Sequence, residues 1–350
     1  MPESQSAKRI AIVILNWNGQ EFLRRFLPGV NAHSAELARI IVADNSSGDN
    51  SIAILKSEFP EVETIVLDQN YGFTGGYNRA LDQVASEYYL LLNSDVEVTE
   101  GWLAPLLRWM DAHPESAACQ PKIRSYHDRH LLEHAGAAGG YIDALGYPFC
   151  RGRILNTLEE DTGQYEDPRP VFWATGACML IRSADFKNQG GFDERFFAHM
   201  EEIDLCWRLQ RAGRKIHVVP QSMVYHVGGG TLPKKSPRKT FFNFRNNLLM
   251  LAKNEPLSTL LWLIPLRLLL DGLAGVKFLL DGDHKDTWAV IRAHFGFYRL
   301  TFISGSRSSS GPKPPRKRQV PGLYNGSILL DYYLKKTRRF SELDPKRINH

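Results

Sequence analysis

Tyr88 to Val98, YYLLLNSDVEV, is the stretch whose reading decides the fold. Tyr88 to Leu92 is an unbroken apolar run. A run of this kind suits a central strand of a parallel sheet, covered on both faces, where no polar alternation is needed. It ends in Asn93, Ser94 and Asp95. In open α/β sheets, ligands sit beyond the carboxyl ends of the strands. A carboxylate there, with a second polar group two residues earlier, can hold a hard divalent cation through oxygen. An isolated Asn-Ser-Asp reads more plainly as an Asx-type turn. The neighbouring motifs argue for more than a turn.

Upstream, Ile10 to Leu15 is a short β-rich run that delivers Asn16-Trp17-Asn18-Gly19, and Glu21 to Val30 has helical spacing. Ile40 to Ala43 is a second strand, ending in Asp44-Asn45-Ser46-Ser47-Gly48-Asp49. A helix from about Asn50 to Phe59 is stopped by Pro60. Val62 to Leu67 is a third strand, and the segment Asn70 to Arg79, NYGFTGGYNR, opens a helix through Ala85. Strands alternating with helices in this way predict a parallel sheet with right-handed crossovers. The glycines of this segment read either as a nucleotide-binding turn or as a loop requiring positive φ. Their spacing matches neither the dinucleotide fingerprint nor a P-loop.

Downstream, Trp102 to Ala112 is an amphipathic helix, and residues 117–170 read as short strands and turns. His127, His130 and His134 are better placed as solvated polar positions than as a metal site. Val171 to Arg182 is expected to be one buried strand kinked at Thr175-Gly176-Ala177. Glu201, Glu202 and Asp204 crowd the first turn of a helix, where carboxylates suit the macrodipole and where one could equally serve as a general base. Strand residues Lys215 to Pro220 are followed by Val224-Tyr225-His226. Thr240 to Asn254 is a helix. Leu257 to Leu280 is strongly apolar, but Arg267, Asp271 and Lys277 interrupt it and Pro256 and Pro265 break it, which favours helices lying in a membrane interface over a spanning helix. Ser304 to Pro321, Ser/Pro-rich and basic, is expected to be a mobile linker near anionic lipid.

Composition agrees with this division. Hydrophobic residues make up 43% and charged residues 23% of the 350, which is ordinary for a folded domain. Residues 256–350 carry 16 Lys/Arg against 7 Asp/Glu, whereas the remainder is mildly acidic. A basic end on an acidic body points to an anionic surface as partner. Cys119, Cys150, Cys178 and Cys206 form no C-x-x-C pair, so no zinc or redox motif is expected, and a reducing cytosolic setting fits. Met1 to Lys8 does not read as a signal peptide.

Taken in order, N-W-N-G, D-N-S-S-G-D, N-Y-G-F-T-G-G-Y-N-R, L-L-L-N-S-D, G-G-F-D-E-R-F-F and E-E-I-D-L-C-W-R resemble the family 2 glycosyltransferases of GT-A fold, in particular the bacterial rhamnosyltransferase-like branch. The resemblance covers about residues 8–255. It implies an α/β fold with a mixed, mainly parallel nucleotide-sugar-binding sheet flanked by helices; beyond it, the residues read as a helical membrane-associating region over 256–303 and a basic linker and tail over 304–350. It also implies site roles. Asp44 would bond the nucleobase, beside Asn16 and Asn18. Gly75, Gly76 and Asn78 would lie against ribose and diphosphate. Asp95 would bind Mg²⁺ or Mn²⁺, with His226 as a further ligand. Asn93 stands where the family often has Asp, and Glu202, as catalytic base, stands where many relatives have Asp. Trp173 and Asp204 would shape the acceptor and donor-sugar pocket.

The reaction so implied is inverting transfer of a sugar from a UDP- or dTDP-sugar, dTDP-rhamnose being one such donor, to a hydroxyl of a glycan or lipid-linked acceptor in cell-surface polysaccharide synthesis. The enzyme would work in the cytoplasm, peripheral on the inner face of the cell membrane. Three rivals fit less well. A nucleotidyltransferase should carry basic residues in the loop after its first strand, and N-W-N-G has none. A nucleic-acid binder should interleave aromatics with its basic residues on a folded face, and here they sit in a Ser/Pro-rich segment, so no nucleic acid is expected. A nucleotide-sugar binder without turnover is left open by Asn93.

Overall fold

The computed structural model describes residues 8–228, 236–302 and 320–350. Its first half alternates as the apolar runs require: β1 (Ile10–Asn16), α1 (Gln20–Ser34), β2 (Ala38–Asp44), α2 (Ser51–Glu58), β3 (Glu63–Val66), α3 (Gly72–Asp82) and β4 (Tyr88–Asn93). Then come β5 (Val96–Val98), α4 (Leu103–Ala112), β6 (Ser116–Ser125) and the short strands β7 (Gly140–Asp143), β8 (Pro148–Cys150), β9 (Arg153–Ile154), β10 (Thr157–Leu158) and β11 (Arg169–Val171). This part of the chain closes with β12 (Cys178–Arg182), α5 (Ser183–Asn188), α6 (Glu201–Arg211) and β13 (Lys215–His226). Three long helices, α7 (Pro237–Asn254), α8 (Leu257–Leu280) and α9 (His284–Phe302), precede β14 (Leu323–Tyr324) and α10 (Ile328–Tyr333).

The main sheet runs β11-β13-β6-β12-β4-β1-β2-β3, with β5 added against β13. β1, β2, β3 and β4 are parallel neighbours, and β12 lies antiparallel between β4 and β6. The sheet is mixed and flanked by helices, as expected. Tyr89 and Leu91 of β4 enter one apolar layer, and Tyr88, Leu90 and Leu92 enter the other. Burial on both faces is why this strand reads as a continuous apolar run.

Three expectations differ from the structure. The run Val171 to Arg182 is not one kinked strand. β11 and β12 pair with different neighbours, and residues 172–177 between them cross the sheet as irregular chain. α8 is a single helix with Pro265 inside it, rather than two segments broken there. Residues 320–350 are no tail. β14 pairs in parallel with β7 in a five-stranded second sheet, and Phe340 packs its ring on Tyr141, Phe149 and Tyr165. The linker expected over 304–319 lies outside the described residues.

α8 is built inside out. Its charged interruptions point inward: Arg267 and Asp271 are buried, and Arg267 donates to Leu145 O (2.8 Å) and Asn247 Oδ1 (2.6 Å) with its guanidinium 3.7 Å from the Tyr147 ring centre. Leu260 and Leu263 pack into the core, but Leu261, Trp262, Leu269, Leu273, Val276 and Leu280 point outward and are exposed, and Trp288, Ile291, Phe295 and Tyr298 of α9 are exposed as well. No helix among the described residues is long and apolar enough to cross a membrane.

Candidate active site

The carboxyl ends of β1 and β2 lie side by side, Asn16 in register with Asp44. Asn16 Nδ2 donates to Asp44 Oδ2 (3.0 Å) and to Ser47 Oγ (3.3 Å), and the Ser47 N–H donates to Asp44 Oδ1 (2.8 Å). The Asn18 N–H donates to Ser47 Oγ (2.9 Å), and Asn18 Oδ1 accepts from the Gly48 N–H (2.7 Å). Asn18 takes a φ of 51°, which Asn tolerates better than most residues. A Cβ on Gly19 would come within 2.3 Å of Asn16 Oδ1, so the tight turn needs glycine. The two loops thus form one polar rim with buried Asp44 as its floor. Each Asp44 oxygen retains a lone pair after these bonds.

A second group gathers at the end of β4. A register shift between Val219 and Met223 bends β13 so that its last residues pair with β5, placing His226 opposite Val96. The Val227 N–H donates to Asp95 O (3.1 Å), which brings His226 Nε2 to 3.2 Å from Asp95 Oδ1. On the other side of the ring, Nδ1 lies 3.2 Å from Glu133 Oε2. All three side chains are buried. Burial alone would lower the imidazole pKa, but the two carboxylates outweigh it and raise it to about 10. Burial likewise opposes ionisation of Glu133, and the His226 hydrogen bond and charge reverse that, taking it down to about 2. With no metal bound, the ring is held as an imidazolium between two carboxylates at neutral pH, and ligating a metal through Nε2 would require that nitrogen to give up its proton.

This pair suits a divalent ion. Carboxylate oxygen and imidazole nitrogen are donors that Mn²⁺ accepts, and Mg²⁺-type sites take one or two protein ligands and complete the shell with substrate phosphates and water. Glu133 stands where metal-bound histidines usually find the partner for their other ring nitrogen. Among the described residues there is no group of three or more His, Cys, Asp or Glu able to hold a metal unaided. His127, His130 and His134 do not form one either.

The third group sits at the start of α6. Glu202 is half-buried and Glu201 buried, and the Oε2 atoms of both are enclosed without a hydrogen-bond partner. Burial pushes the Glu202 carboxyl up to about 7, against the backbone N–H groups of the helix start. Burial and then the Glu202 charge hold the Glu201 carboxyl well above the ordinary range. Glu202 belongs at the sheet end: its Cβ lies 3.8 Å from the position a Cβ on Gly176 would take, and the next carbonyl, that of Ala177, accepts the Asn93 N–H of β4 (2.9 Å).

Five further residues expected in the pocket make contacts within the fold. Trp173 is buried, donates its indole N–H to Tyr141 O (2.9 Å) and lies flat on Gly140, where a Cβ would come within 2.2 Å of the ring. Asp204 is buried in a polar network with Arg208, Lys253 and Asn254. The Asn78 carboxamide is taken up by both backbone groups of Phe192. Gly76 lets α3 approach Leu15 and Asn45, and Gly75 makes room for Tyr71 and Arg79. Asn93 remains at the site, half-buried at the end of β4. Glu133 was not foreseen, because its sequence neighbourhood carries no motif and His226 lies 93 residues away.

Comparison with known proteins decides the family: a model described as glycosyl transferase family 2 matches residues 11–190. The chain belongs to glycosyl transferase family 2. The match ends before Glu202, His226 and α7. Among relatives of this family 2 chain, N-acetylglucosaminyl-diphospho-decaprenol L-rhamnosyltransferase of Mycobacterium tuberculosis is 28% identical over 232 residues, covering 62% of this chain and 75% of the relative. Rhamnosyltransferase WbbL of Escherichia coli is 26% identical over 230 residues, covering 62% and 83%. Among solved structures, GalNAc-T7 with UDP, GalNAc and Mn²⁺ aligns with a TM-score of 0.55 at 18% identity over 71% of this chain and 48% of that one. Mannosyltransferase PcManGT of Pyrobaculum calidifontis, in complex with GDP-Man and Mn²⁺, aligns with a TM-score of 0.50 at 10% identity over 87% and 76%. These structural likenesses carry the GT-A fold.

Proposed function

We propose that this glycosyltransferase is an inverting enzyme that moves a sugar, with rhamnose from dTDP-rhamnose the first candidate, to a hydroxyl of a glycan carried on a lipid diphosphate. The observation that carries this reading is the Glu202 carboxyl, enclosed at Oε2 and raised to about 7, at the end of the sheet that also bears Asp95 and His226. A carboxylate of that basicity matches the task of a general base near neutral pH. The names of the rhamnosyltransferase relatives support rhamnose as the sugar, and that of the Mycobacterium tuberculosis relative supports a lipid-diphosphate acceptor.

In this reading Asp44, with Asn16 and Asn18, receives the imide N–H of uracil or thymine. The acceptor oxygen attacks the anomeric carbon from the face opposite the nucleotide and its proton passes to a Glu202 oxygen. The bond from the anomeric carbon to the diphosphate oxygen breaks, and its electron pair leaves with the nucleoside diphosphate. One displacement inverts the anomeric centre. Asp95 and His226 would hold the Mg²⁺ or Mn²⁺ ion, which when bound neutralises charge on the leaving diphosphate. Glu133 keeps the His226 ring turned toward Asp95.

Thermal stability of the purified protein with UDP, dTDP, GDP and CMP, each with and without Mn²⁺, tests the site. A ligand at a hundred times its Kd adds about 2.7 kcal/mol. The expected result is a Tm rise with UDP or dTDP that grows with Mn²⁺. Folded protein indifferent to all four would remove the nucleotide-sugar reading.

The acceptor class also gives α8 and α9 a purpose. An inside-out helix beside exposed Trp288 and Phe295, with Lys285 and Arg292 on the same helix, matches the water–lipid boundary of an anionic bilayer. The protein is expected to sediment with phosphatidylglycerol vesicles, and a Leu261→Glu/Phe295→Glu variant is expected to stay in the supernatant. Equal sedimentation of the variant would dissociate these helices from the membrane.

A further inference from the structure

The loop that delivers Glu202 is held in an unfavourable backbone shape. Phe197, His199 and Met200 take φ values of 64°, 70° and 73°. Three non-glycine residues within four positions in the left-handed region persist only when their surroundings enforce it, and such strain gathers at functional sites. Met200 is the residue from which α6 starts, so this loop sets where the first turn of α6, and Glu202 with it, can lie.

The enforcing groups come from α7, beyond the part of the chain that the family model matches. Asn246 is fully buried, and its Nδ2 lies 2.9 Å from Phe196 O and 2.8 Å from both Ala198 O and His199 O. Arg245 Nη2 donates to Arg195 O and Phe196 O, each at 2.9 Å, and Arg245 Nε donates to Asn246 Oδ1 (2.8 Å), which fixes the carboxamide the right way round. The remaining loop carbonyl, that of Phe197, faces the other way and accepts the N–H groups of Phe73 (2.8 Å) and Thr74 (3.2 Å) at the start of α3. A Cβ on Gly72 would strike both the ring and the carbonyl of Phe197, so that approach has no slack. Every carbonyl from Arg195 to His199 is thereby held, four by α7 and one by α3.

We infer that Asn246, braced by Arg245, is a positioning residue for the catalytic base: it clamps the left-handed loop 196–200 so that α6 presents Glu202 to the acceptor hydroxyl. The inference rests on Glu202 being the base. The geometry exceeds what stability alone asks for. A half-buried guanidinium that spends two hydrogen bonds on loop carbonyls, with burial lowering its pKa to about 10, is an unusual way to satisfy a loop.

The test compares wild type, Asn246→Ala and Arg245→Met, the last removing the guanidinium that donates to the loop and lies over the Phe241 and Phe242 rings. Two readouts need no substrate. Hydrogen exchange at the Phe73, Thr74 and Ala198 amides should accelerate at least about tenfold in both variants, because their acceptors are carbonyls of this loop. The carboxyl infrared band that disappears in Glu202→Gln should titrate about one unit lower than in wild type, as a freed loop lets water reach the group. In transfer assays kcat should fall about a hundredfold with KM for the donor unchanged. A folded variant with wild-type exchange at those amides, or with wild-type kcat and an unmoved carboxyl titration, overturns the inference. If Asn246→Ala does not fold, Arg245→Met decides by the same criteria. Full transfer by Glu202→Gln would instead remove the base assignment, whatever the loop variants do.

Discussion

Replacing Glu202 with Gln is expected to lower kcat for sugar transfer by about 10²- to 10⁴-fold while leaving nucleotide binding and the fold intact. Gln has nearly the same shape, so the loss isolates proton acceptance. Only the ionised carboxylate can take the acceptor proton. Because burial raises this carboxyl to about 7, kcat/KM of the wild type should climb with pH through about 7 and level off above it. Glu202→Gln should lose that dependence along with the rate. Stability runs the other way. A carboxyl whose folded pKa lies above its ordinary value favours the folded state at low pH, and that contribution is lost as pH rises through the folded pKa. At pH 8 the Gln variant should therefore melt at a higher temperature than wild type. Calorimetry beside the pH–rate profile checks both signs. A variant that is slower and also less stable at pH 8 would mean that Glu202 supports structure instead.

The second large effect concerns stability. His226→Leu, measured by denaturant unfolding in a chelator, is expected to cost about 3–5 kcal/mol at pH 6, because it leaves Asp95 and Glu133 buried without the cation between them. The pH window follows from the two shifts. His226 is raised from 6.5 to about 10, so its contribution is complete below 6.5 and lost as pH rises through 10. Glu133 is lowered from 4.5 to about 2, so its contribution is complete above 4.5 and lost as pH falls through 2. The gap between wild type and variant should be widest between pH 4.5 and 6.5 and should close toward pH 10. A gap below 1 kcal/mol at pH 6 would show that water reaches these carboxylates.

What the sequence made legible was local. β4 is apolar on both faces and reads so; β1 and β2 end in polar loops that the fold brings together at Asn16 and Asp44. Motif resemblance also pointed to Asp95, His226 and Glu202, which lie near the end of the same sheet, but a motif does not say whether its residues also pack within the fold. Trp173, Asp204, Asn78, Gly75 and Gly76 look the same in a string whether they face a ligand or a neighbouring element, and only the structure shows Trp173 lying on Gly140 or Asp204 between Lys253 and Arg208. Arg267 and Asp271 were misleading for a related reason. Charge in an apolar stretch reads as an interruption of the lipid-facing surface, whereas both side chains turn inward and leave that surface apolar. Non-local features carried no signal. Glu133 meets His226 across 93 residues. β14 is two residues long and finds its partner near the middle of the chain. The clamp of Asn246 on three carbonyls is a property of backbone shape.

The central claim is tested most directly by the product formed when the protein is incubated with dTDP-rhamnose, Mn²⁺ and N-acetylglucosamine on a lipid diphosphate, its linkage read by nuclear magnetic resonance. The expected result is a new glycosidic bond with the anomeric configuration opposite to the donor's, formed by wild type and barely formed by Glu202→Gln. A product that retains the donor's configuration, or no transfer from any UDP- or dTDP-sugar by folded protein, would contradict it.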